Sequence, residues 1–559
     1  MTTGSLDVKR QALLQRLQHQ RGASGHELVA LQLKACGISH VYGISGVPID
    51  ATLAACGKHG LRVIATRHQQ ASVLSAAAHN YFAGDLKAAV IVSSGPAVTN
   101  CATGILVASD NHWPLVVIGG RGSKASQGTG AFQDFDGAGF FRSMVKNSAV
   151  LTSAMAIART ITLSCKHSME GQPGPCYIDI SEDALQGEST WEPAPVPVQP
   201  PVPQVELQRI EQALRHARYP VLLIGDGLRF GDPWKALEVF VQRYQLPFIT
   251  SPNAHGFLPD DHELNGTNLR GWLLGQADLV LMLGASLDWV FRHGAEIRPD
   301  TPIVRLGHGN DPVLQQRRSF LEFAGQPARL LAQLTEQLSG EELPAAKTAA
   351  FDEVLQTRSQ DFRRRLKSAT EDQTRPLTPA CWLSEVAKAL PDNVITVLDG
   401  NIIMAWAQLM LPVRLPVTRL TAGVNGCMGT GLPFAMGAAA AWPELPVVAV
   451  CGDFALGLAI MELETAVRHQ LPIIILLGNN HGNGGRLRQS AFWPETYPER
   501  VCQFTEGVRY DQMMQAIGGD GIWIEKPEAI GPALHRALAG RRPTLIQVDI
   551  RDDIPLPDI

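Results

Sequence analysis

Residues 447–485 read VVAVCGDFALGLAIMELETAVRHQLPIIILLGNNHGNGG, with two short apolar runs on either side of a helix-like segment. The runs 447–450 and 473–477 are rich in Val, Ile and Leu and are typical of strands covered on both faces. Consecutive parallel strands are usually neighbours and point the same way, so the polar residues after each run should meet at one edge of a sheet. The stretch therefore predicts that Asp453 and Asn480 lie close together.

The same pattern recurs along the chain in three blocks. Each block contains apolar runs that end in glycine or a polar residue and are followed by helical periodicity. The runs are 88–93, 115–119 and 176–180 in the first block, 221–225, 248–251, 279–284 and 303–306 in the second, and 394–398, 447–450, 473–477 and 545–548 in the third. We therefore predict an α/β protein with three doubly wound parallel-sheet domains.

Two changes in composition separate these blocks. Residues 192–203 read EPAPVPVQPPVP, which excludes helix and central strand and indicates a stiff linker. Residues 340–375 are rich in charged residues and alanine, which predicts one or two exposed helices. The expected segments are an N-terminal extension (1–24), a first domain (25–191), a Pro-rich linker (192–204), a central domain (205–339), linker helices (340–375) and a last domain (376–559).

Composition argues against several classes of protein. The 559 residues carry 48 Lys and Arg against 53 Asp and Glu, so the net charge of −5 gives no electrostatic case for binding nucleic acid or an anionic membrane. No apolar run approaches the roughly 20 residues of a membrane helix, and residues 1–21 do not read as a secretory signal. The nine cysteines are scattered without a C-x-x-C pair, which favours reduced thiols in a cytoplasmic protein.

The predicted edge around Asp453 and Asn480 suits a hard metal ion that holds a diphosphate. Magnesium takes about six oxygens, of which one or two come from carboxylates and the rest from phosphate, water, amides or backbone. Asp453 offers a carboxylate, Asn480 offers an amide oxygen, and the glycines around them let the backbone approach a phosphate. The alternative is that Asp453 only caps the following helix and the glycines form turns.

This stretch resembles the cofactor motif of thiamine-diphosphate enzymes, with the spacing G-D-x-x-x-G…E-L-E-T-A…L-P-I…N-N-x-G. Phe454 follows the Asp of the motif, and in this respect the stretch is similar to oxalyl-CoA decarboxylases and 2-hydroxyacyl-CoA lyases. The resemblance implies that Asp453, Asn480 and the Gly482 carbonyl bind magnesium. Residues 425–433 (NGCMGTGLP) resemble the segment in which a bulky residue, here Met428, holds the cofactor bent. The implied cofactor-binding residues are Gly426, Met428, Gly452, Asp453, Phe454, Ala455, Asn480, Gly482 and Asn483.

The resemblance also assigns candidate catalytic residues. Family members carry a Glu in an R-H-E-x-A segment that activates the aminopyrimidine of the cofactor, whereas residues 67–71 read RHQQA and place Gln69 there. An amide neither carries the charge nor exchanges the proton, so we expect slower activation of the cofactor. Gln133 stands where the family lines the substrate pocket, and His481 is a candidate pocket residue beside the presumed metal ligands. Further pocket candidates are Leu487, Phe492 and Trp493.

Three functions remain open at this point. The first is an enzyme that makes or breaks the C–C bond next to a carbonyl, a lyase or carboligase on 2-keto or 2-hydroxyacyl substrates, with a CoA thioester uncertain. The second is an acetolactate-synthase-type carboligase on 2-keto acids, a group that often holds FAD; the segment 225–227 (GDG) supports FAD only weakly. The third is a cofactor-binding subunit without catalysis, suggested by Gln69. The resemblance implies thiamine diphosphate, Mg²⁺ and a homodimer or dimer of dimers.

Overall fold

The computed structural model of the protein describes residues 22–193, 208–307, 311–317, 319–337, 349–372, 374–493 and 500–554. Contacts divide the chain into two compact units, Met1–Pro200 and Pro201–Ile559. Most of the predicted N-terminal extension and Pro-rich linker, and the start of the predicted linker helices, lie outside the described residues. The domain boundaries given above stay a prediction.

The smaller unit is built on one parallel sheet with helices packed against it. Its strands are β1 (Ala23–Ser24), β2 (His40–Gly43), β3 (Arg62–Ala65), β4 (Ala88–Val92), β5 (Leu115–Arg121), β6 (Asn147–Leu151), β7 (Pro175–Ser181) and β8 (Glu188–Ser189). Its helices are α1 (Gly25–Ala35), α2 (Asp50–Lys58), α3 (Gln69–Ala83), α4 (Pro96–Thr99), α5 (Ala102–Asp110), α6 (Gly137–Phe141), α7 (Ile157–Met169) and α8 (Glu182–Gln186). The sheet order is β3-β2-β4-β5-β7-β6, and β1 and β8 form a separate antiparallel pair.

The larger unit begins with a five-stranded parallel sheet, called the central sheet below. Its strands are β9 (Pro220–Ile224), β10 (Phe248–Thr250), β11 (Leu279–Leu283), β12 (Ile303–Gly307) and β13 (Phe320–Ala324), in the order β10-β9-β11-β12-β13. The helices of this part are α9 (Gln208–His216), α10 (Trp234–Tyr244), α11 (Arg270–Gln276), α12 (Pro312–Gln315) and α13 (Pro327–Gln337). Helix α14 (Ala349–Ala369) follows, within the stretch predicted to hold linker helices.

A six-stranded parallel sheet, called the last sheet below, completes the larger unit. Its strands are β14 (Ile395–Asp399), β15 (Arg419–Leu420), β16 (Val447–Gly452), β17 (Ile473–Asn479), β18 (Asp520–Ile524) and β19 (Thr544–Asp549), in the order β15-β14-β16-β17-β19-β18. Its helices are α15 (Pro379–Ala389), α16 (Ile402–Met410), α17 (Gly431–Ala441), α18 (Asp453–Gly457), α19 (Glu462–Arg468), α20 (Gly485–Phe492), α21 (Tyr510–Ile517) and α22 (Ile530–Gly540).

The structure confirms the predicted fold class of three parallel-sheet α/β domains. Each predicted apolar run overlaps an observed strand, and every residue of β16 and β17 is buried, as their unbroken apolar sequence requires. The side chain of Ser24 caps α1 by accepting a hydrogen bond from the backbone N–H of Glu27. All nine cysteines are unpaired, and among the described residues no helix is long and apolar enough to cross a membrane.

Candidate functional site

A cleft lies at the carboxyl edge of the last sheet. Strand β14 has β15 on one side and β16 on the other, so the strand order reverses beside the ends of β14 and β16. Open α/β sheets bind ligands at such a point. The cleft is lined by Gly400, Asn401, Ile402, Ile403, Met428, Gly452, Asp453, Phe454, Ala455, Asn480, Gly482, Asn483 and Gly484.

Asp453 is the first residue of α18 and follows the last residue of β16. Its side chain is only 2% exposed, and burial raises its pKa to about 6 against the opposing effect of nearby backbone N–H groups. Among the described residues its Oδ2 atom has no hydrogen-bond partner. Burying a carboxylate oxygen without a hydrogen-bond partner costs free energy. We therefore expect a cation or a hydrogen-bond donor from outside the described residues to bind this atom.

Asn480 brings its amide group between Asp453 and Gly482. One terminal atom of the amide lies 2.7 Å from Asp453 Oδ1 and 3.1 Å from the Gly482 carbonyl oxygen. With nitrogen at this position the amide donates two hydrogen bonds, and with oxygen there it lies beside two other oxygens. Adjacent oxygens around Mg²⁺ lie about 2.9 Å apart, because its bonds are 2.0–2.1 Å long and nearly octahedral. The observed spacing therefore fits a magnesium ion.

The loop after β17 is held by strand-like pairing with residues 502–504. The N–H of Asn483 donates to the Cys502 carbonyl at 2.9 Å, and the N–H of Phe504 donates to the His481 carbonyl at 2.7 Å. Any Cβ atom at Gly482 would clash with the backbone carbonyl oxygen of Cys502. Glycine is therefore required at 482 for the backbone to pass this closely, which fixes the carbonyl that faces Asn480.

Met428 lines the cleft from the loop between β15 and α17, whereas Gly426 on the same loop is exposed and does not line it. The carboxylate of Asp399, at the end of β14, accepts hydrogen bonds from the N–H groups of Gly400 and Gly431, both at 2.7 Å. Burial raises the pKa of Asp399 to about 6, and these N–H groups lower it in part. Asp399 thus ties the loop to the sheet.

His481 turns away from the cleft although it is next to Asn480 in sequence. Its ring contacts Asn479 (Nδ1 to Nδ2, 3.3 Å) and Asp549 (Nε2 to Oδ2, 3.9 Å). It lines a second cavity whose charged residues are Arg375, Arg500, Glu506, Asp549, Arg551, Asp552 and Asp553. The backbone of His481 has a left-handed φ of 54°, which directs the side chain to that side. A role of His481 in the substrate pocket stays a prediction.

The two glutamine candidates of the smaller unit meet one loop, residues 94–100. Gln69 is the first residue of α3, and its Oε1 accepts a hydrogen bond from Asn100 Nδ2 at 2.9 Å. The Oε1 atom of Gln133 accepts a hydrogen bond from the hydroxyl of Ser94 at 3.1 Å. Both side chains are half-buried. The structure thus brings Gln69 and Gln133 to the same loop after β4, at the carboxyl edge of their sheet.

The cleft also contains residues that sequence reasoning missed, namely Gly400, Asn401, Ile402 and Ile403. They follow the apolar run 394–398 directly, so the rule that ligands bind beyond strand ends would have found them. Of the further pocket candidates, Phe492 is 72% exposed and packs edge-on near Trp493, while the side chain of Leu487 lies outside the described ones. In the described part of the chain no cluster of three or more His, Cys, Asp or Glu suggests another metal site.

Three regions of the chain match models of thiamine pyrophosphate enzymes. They are the N-terminal TPP binding domain at residues 23–140, the central domain at 207–334 and the C-terminal TPP binding domain at 400–548. A 2-hydroxyacyl-CoA lyase of Oryza sativa subsp. japonica is 28% identical, over 94% of this chain and 95% of its own length. The 2-hydroxyacyl-CoA lyase 1 of Homo sapiens is 28% identical over 94% of each chain. The acetolactate synthase large subunit IlvG of Mycobacterium tuberculosis is 28% identical over 93% of this chain and 94% of its own.

Proposed function

The chain belongs to the thiamine pyrophosphate enzyme family, and we propose that it uses this cofactor, thiamine diphosphate, with Mg²⁺ to make or break the C–C bond next to a carbonyl group. The observation that supports the proposal best is the convergence of Asp453, Asn480 and Gly482 in the cleft at the carboxyl edge of the last sheet. When bound, the cofactor supplies the electron sink for the carbanion that such a reaction requires.

We propose that different residues of the cleft hold the diphosphate in different ways. The Asp453 carboxylate, the Asn480 amide oxygen and the Gly482 carbonyl would be ligands of the magnesium ion, which takes about six oxygens in all. Asp453 is the residue whose buried charge such an ion would compensate, because its Oδ2 lacks a protein partner among the described residues. Met428 lines the same cleft and would contact the cofactor from the β15–α17 loop.

We propose that Gln69 can form the hydrogen bond made by the family's glutamate but cannot transfer a proton as the glutamate does. Its oxygen accepts from Asn100, so the amide N–H₂ is the group that remains for a ring nitrogen of the pyrimidine. An N–H donates a hydrogen bond to that nitrogen, but it does not transfer its proton at physiological pH. We propose that Gln69 orients the pyrimidine and that activation is slow for want of the carboxyl proton.

We propose a substrate with a 2-hydroxyacyl or 2-keto group. Two of the relatives are named 2-hydroxyacyl-CoA lyases and one is named an acetolactate synthase. The second cavity, with His481 in its wall, carries three arginines opposed by four acidic residues, so its charge does not favour the polyanionic end of CoA. A keto acid and an acyl-CoA thioester therefore both belong in the test, as does FAD, which a yellow colour of the purified protein would reveal.

We further propose a homodimer or a dimer of dimers as the active form. Leu458 and Met461, directly after the helix that begins with Asp453, are about half exposed, and exposed apolar side chains next to a functional cleft favour a subunit contact. The mass of the protein in solution, measured by light scattering, tests this state. A cytoplasmic location, inferred from the cysteine pattern, stays a prediction.

The decisive experiment combines cofactor binding with product analysis. Titration calorimetry of the protein with thiamine diphosphate and MgCl₂ should show binding, and Asp453→Asn should weaken it by more than the roughly 10- to 100-fold that loss of an outer ligand partner costs a metal site. Mass spectrometry of products from a panel of keto acids, aldehydes and acyl-CoA thioesters should then identify the substrate class.

A matched control is Asp361→Asn, which removes an exposed carboxylate of α14 that pairs with Arg364 at 3.3 Å. This variant should bind the cofactor like the wild type. Equal binding by Asp453→Asn and the wild type would overturn the assignment of the cleft. Binding without any product from the panel would instead favour the cofactor-binding subunit, and products from keto acids alone would favour the acetolactate-synthase type.

A further inference from the structure

Two loops at the carboxyl edge of the central sheet form hydrogen bonds with the loop that contains Met428. We call residues 421–430, between β15 and α17, the Met428 loop. One contacting loop follows β10 and the other follows β11, and each makes hydrogen bonds to the Met428 loop. The loops of the central sheet are therefore connected to the candidate cofactor site through the Met428 loop.

The first contact is made by Asn253, whose side chain is 1% exposed. Its Oδ1 atom accepts two hydrogen bonds from Thr421, one from the backbone N–H at 2.8 Å and one from the hydroxyl at 2.9 Å. The Thr421 hydroxyl oxygen in turn accepts from the N–H of Gly423 at 3.1 Å. Asn253 thus fixes the start of the Met428 loop and the turn that follows it.

The second contact is made by Trp289. Its indole Nε1–H donates to the backbone carbonyl of Val424 at 2.7 Å, although the residue is 57% exposed. An exposed Trp is not held by burial, so its position depends on its own turn. That turn is braced by Asp288, whose side chain accepts from the N–H of Val290 at 2.8 Å, and by Asp311, whose side chain accepts from the N–H of Leu287 at 2.9 Å.

The Met428 loop needs such support because its backbone is unusual. Gly423, Gly426 and Gly429 all have left-handed φ angles, of 59°, 68° and 84°. Apart from one short 3₁₀ turn at Gly423–Asn425, the loop has no regular structure of its own. Glycines in such positions lose much conformational entropy on ordering, so a loop rich in them relies on outside hydrogen bonds for one defined shape.

Resting on the proposed function, we infer that Trp289 and Asn253 are positioning residues that set the affinity for thiamine diphosphate without touching it. They hold the backbone of Val424 and Thr421, and through it they hold Met428 at the wall of the cleft. The central sheet then has a function in this protein that does not depend on any ligand of its own.

Trp289→Phe tests the inference because it removes the N–H donor and keeps an aromatic ring. In the protein without cofactor, amide hydrogen exchange in residues 421–430 should be faster than in the wild type. With MgCl₂ present, the dissociation constant for thiamine diphosphate should rise about 3- to 10-fold, as the loss of one hydrogen bond predicts. The unfolding midpoint should stay near the wild-type value, which separates positioning from a general loss of structure.

Trp523→Phe is the matched control, since Trp523 lies in the edge strand at the far end of the last sheet and stacks under Arg509. It should leave both readouts unchanged. Thr421→Val is a second variant, which removes the hydroxyl that bonds Asn253 and should act in the same direction as Trp289→Phe.

The outcomes separate this inference from the proposed function. A wild type that binds no thiamine diphosphate contradicts the proposed function, and with it the claim about affinity, whatever the exchange rates show. A wild type that binds the cofactor while Trp289→Phe matches it in exchange and affinity overturns the inference alone. Equal losses in Trp289→Phe and Trp523→Phe, with lowered unfolding midpoints, also overturn it.

Discussion

Gln69 is the residue at which we propose that this chain departs from the chemistry of its family. Gln69 is the first residue of α3, and its side chain accepts a hydrogen bond from Asn100 in the loop after β4. We propose that the change from glutamate alters the proton chemistry of this position. A carboxyl group at this place both donates a hydrogen bond and exchanges its proton, whereas an amide does only the first.

Restoring the carboxyl group with Gln69→Glu should speed activation of the cofactor. We expect hydrogen–deuterium exchange at the thiazolium C2 of bound thiamine diphosphate to rise by about 10²- to 10⁴-fold, the usual contribution of a general acid–base contact. Quenched-flow NMR of the holoenzyme measures this rate.

Gln70→Glu is the control for that comparison, because Gln70 is the next residue of α3 and its N–H bonds the His68 ring at 3.1 Å. It adds the same charge one position away and should leave the exchange rate near that of the wild type. Equal rates in the wild type and Gln69→Glu would show that position 69 does not limit activation.

At the scale of elements, the ends of strands β14, β16 and β17 determine the candidate site. Asp399 closes β14 and accepts two backbone hydrogen bonds at 2.7 Å, one of them from Gly431 at the start of α17. A carboxylate buried in this way joins β14 to α17, two elements that α16, β15 and the Met428 loop separate in the sequence. Burial also disfavours the charged form of this carboxylate and raises the pKa of Asp399 to about 6.

Asp399→Asn should destabilise the protein in a pH-dependent manner. The variant keeps one acceptor oxygen of two, so at pH 7.5 its free energy of unfolding should fall by about 1–3 kcal/mol. A pKa that is raised in the folded state means that folding takes up a proton, so the wild type gains stability as the pH falls through about 6. The variant lacks this group, and its deficit should grow by about 1 kcal/mol between pH 7.5 and pH 5.

Urea unfolding at both pH values measures the deficit of Asp399→Asn. Asp361→Asn, at an exposed position, should show no such growth and controls for the loss of an aspartate in general. A deficit that stays constant with pH would mean that Asp399 titrates alike in the folded and unfolded chain.

The strands that sequence analysis found and missed differ in where they lie. The unbroken apolar runs became fully buried strands such as β16 and β17, most of them inside a sheet, although β10 is an edge strand. The missed strands include the short β2 inside its sheet, β3, β6 and β18 at sheet edges, whose residues are partly exposed and mixed in polarity, and β15, which has only two residues. Edge and very short strands bury too little apolar surface to leave a clear pattern in the sequence.

The site was predictable to the extent that it follows strand ends and motif spacing. The approach of Asp453 to Asn480 followed from parallel neighbours, and the structure places their side chains 2.7 Å apart. The direction of His481 was not predictable, because it depends on a left-handed backbone angle and on pairing with residues 502–504. Contacts such as that of Trp289 with Val424 join residues far apart in sequence and leave no local signal.

At the scale of the whole molecule, the candidate residues are divided between two compact units. Gln69 and Gln133 belong to the smaller unit, and Asp453, Asn480 and Met428 belong to the larger one. In the family that this chain belongs to, both the N-terminal and the C-terminal domains are described as TPP binding domains. We therefore expect cofactor binding to stabilise both units against unfolding.

Calorimetric unfolding with and without thiamine diphosphate and MgCl₂ tests this expectation. A ligand that binds only the folded chain adds about 2.7 kcal/mol of stability at 100 times its dissociation constant, which amounts to a rise of several degrees in the unfolding midpoint. We expect the rise in the transitions of both units, because each unit contains a TPP binding domain. MgCl₂ alone, or the cofactor with EDTA, should give little or no rise if the diphosphate is held through the ion as proposed. Asp453→Asn should lose the effect. A rise confined to the larger unit would show that the edge with Gln69 takes no part in binding.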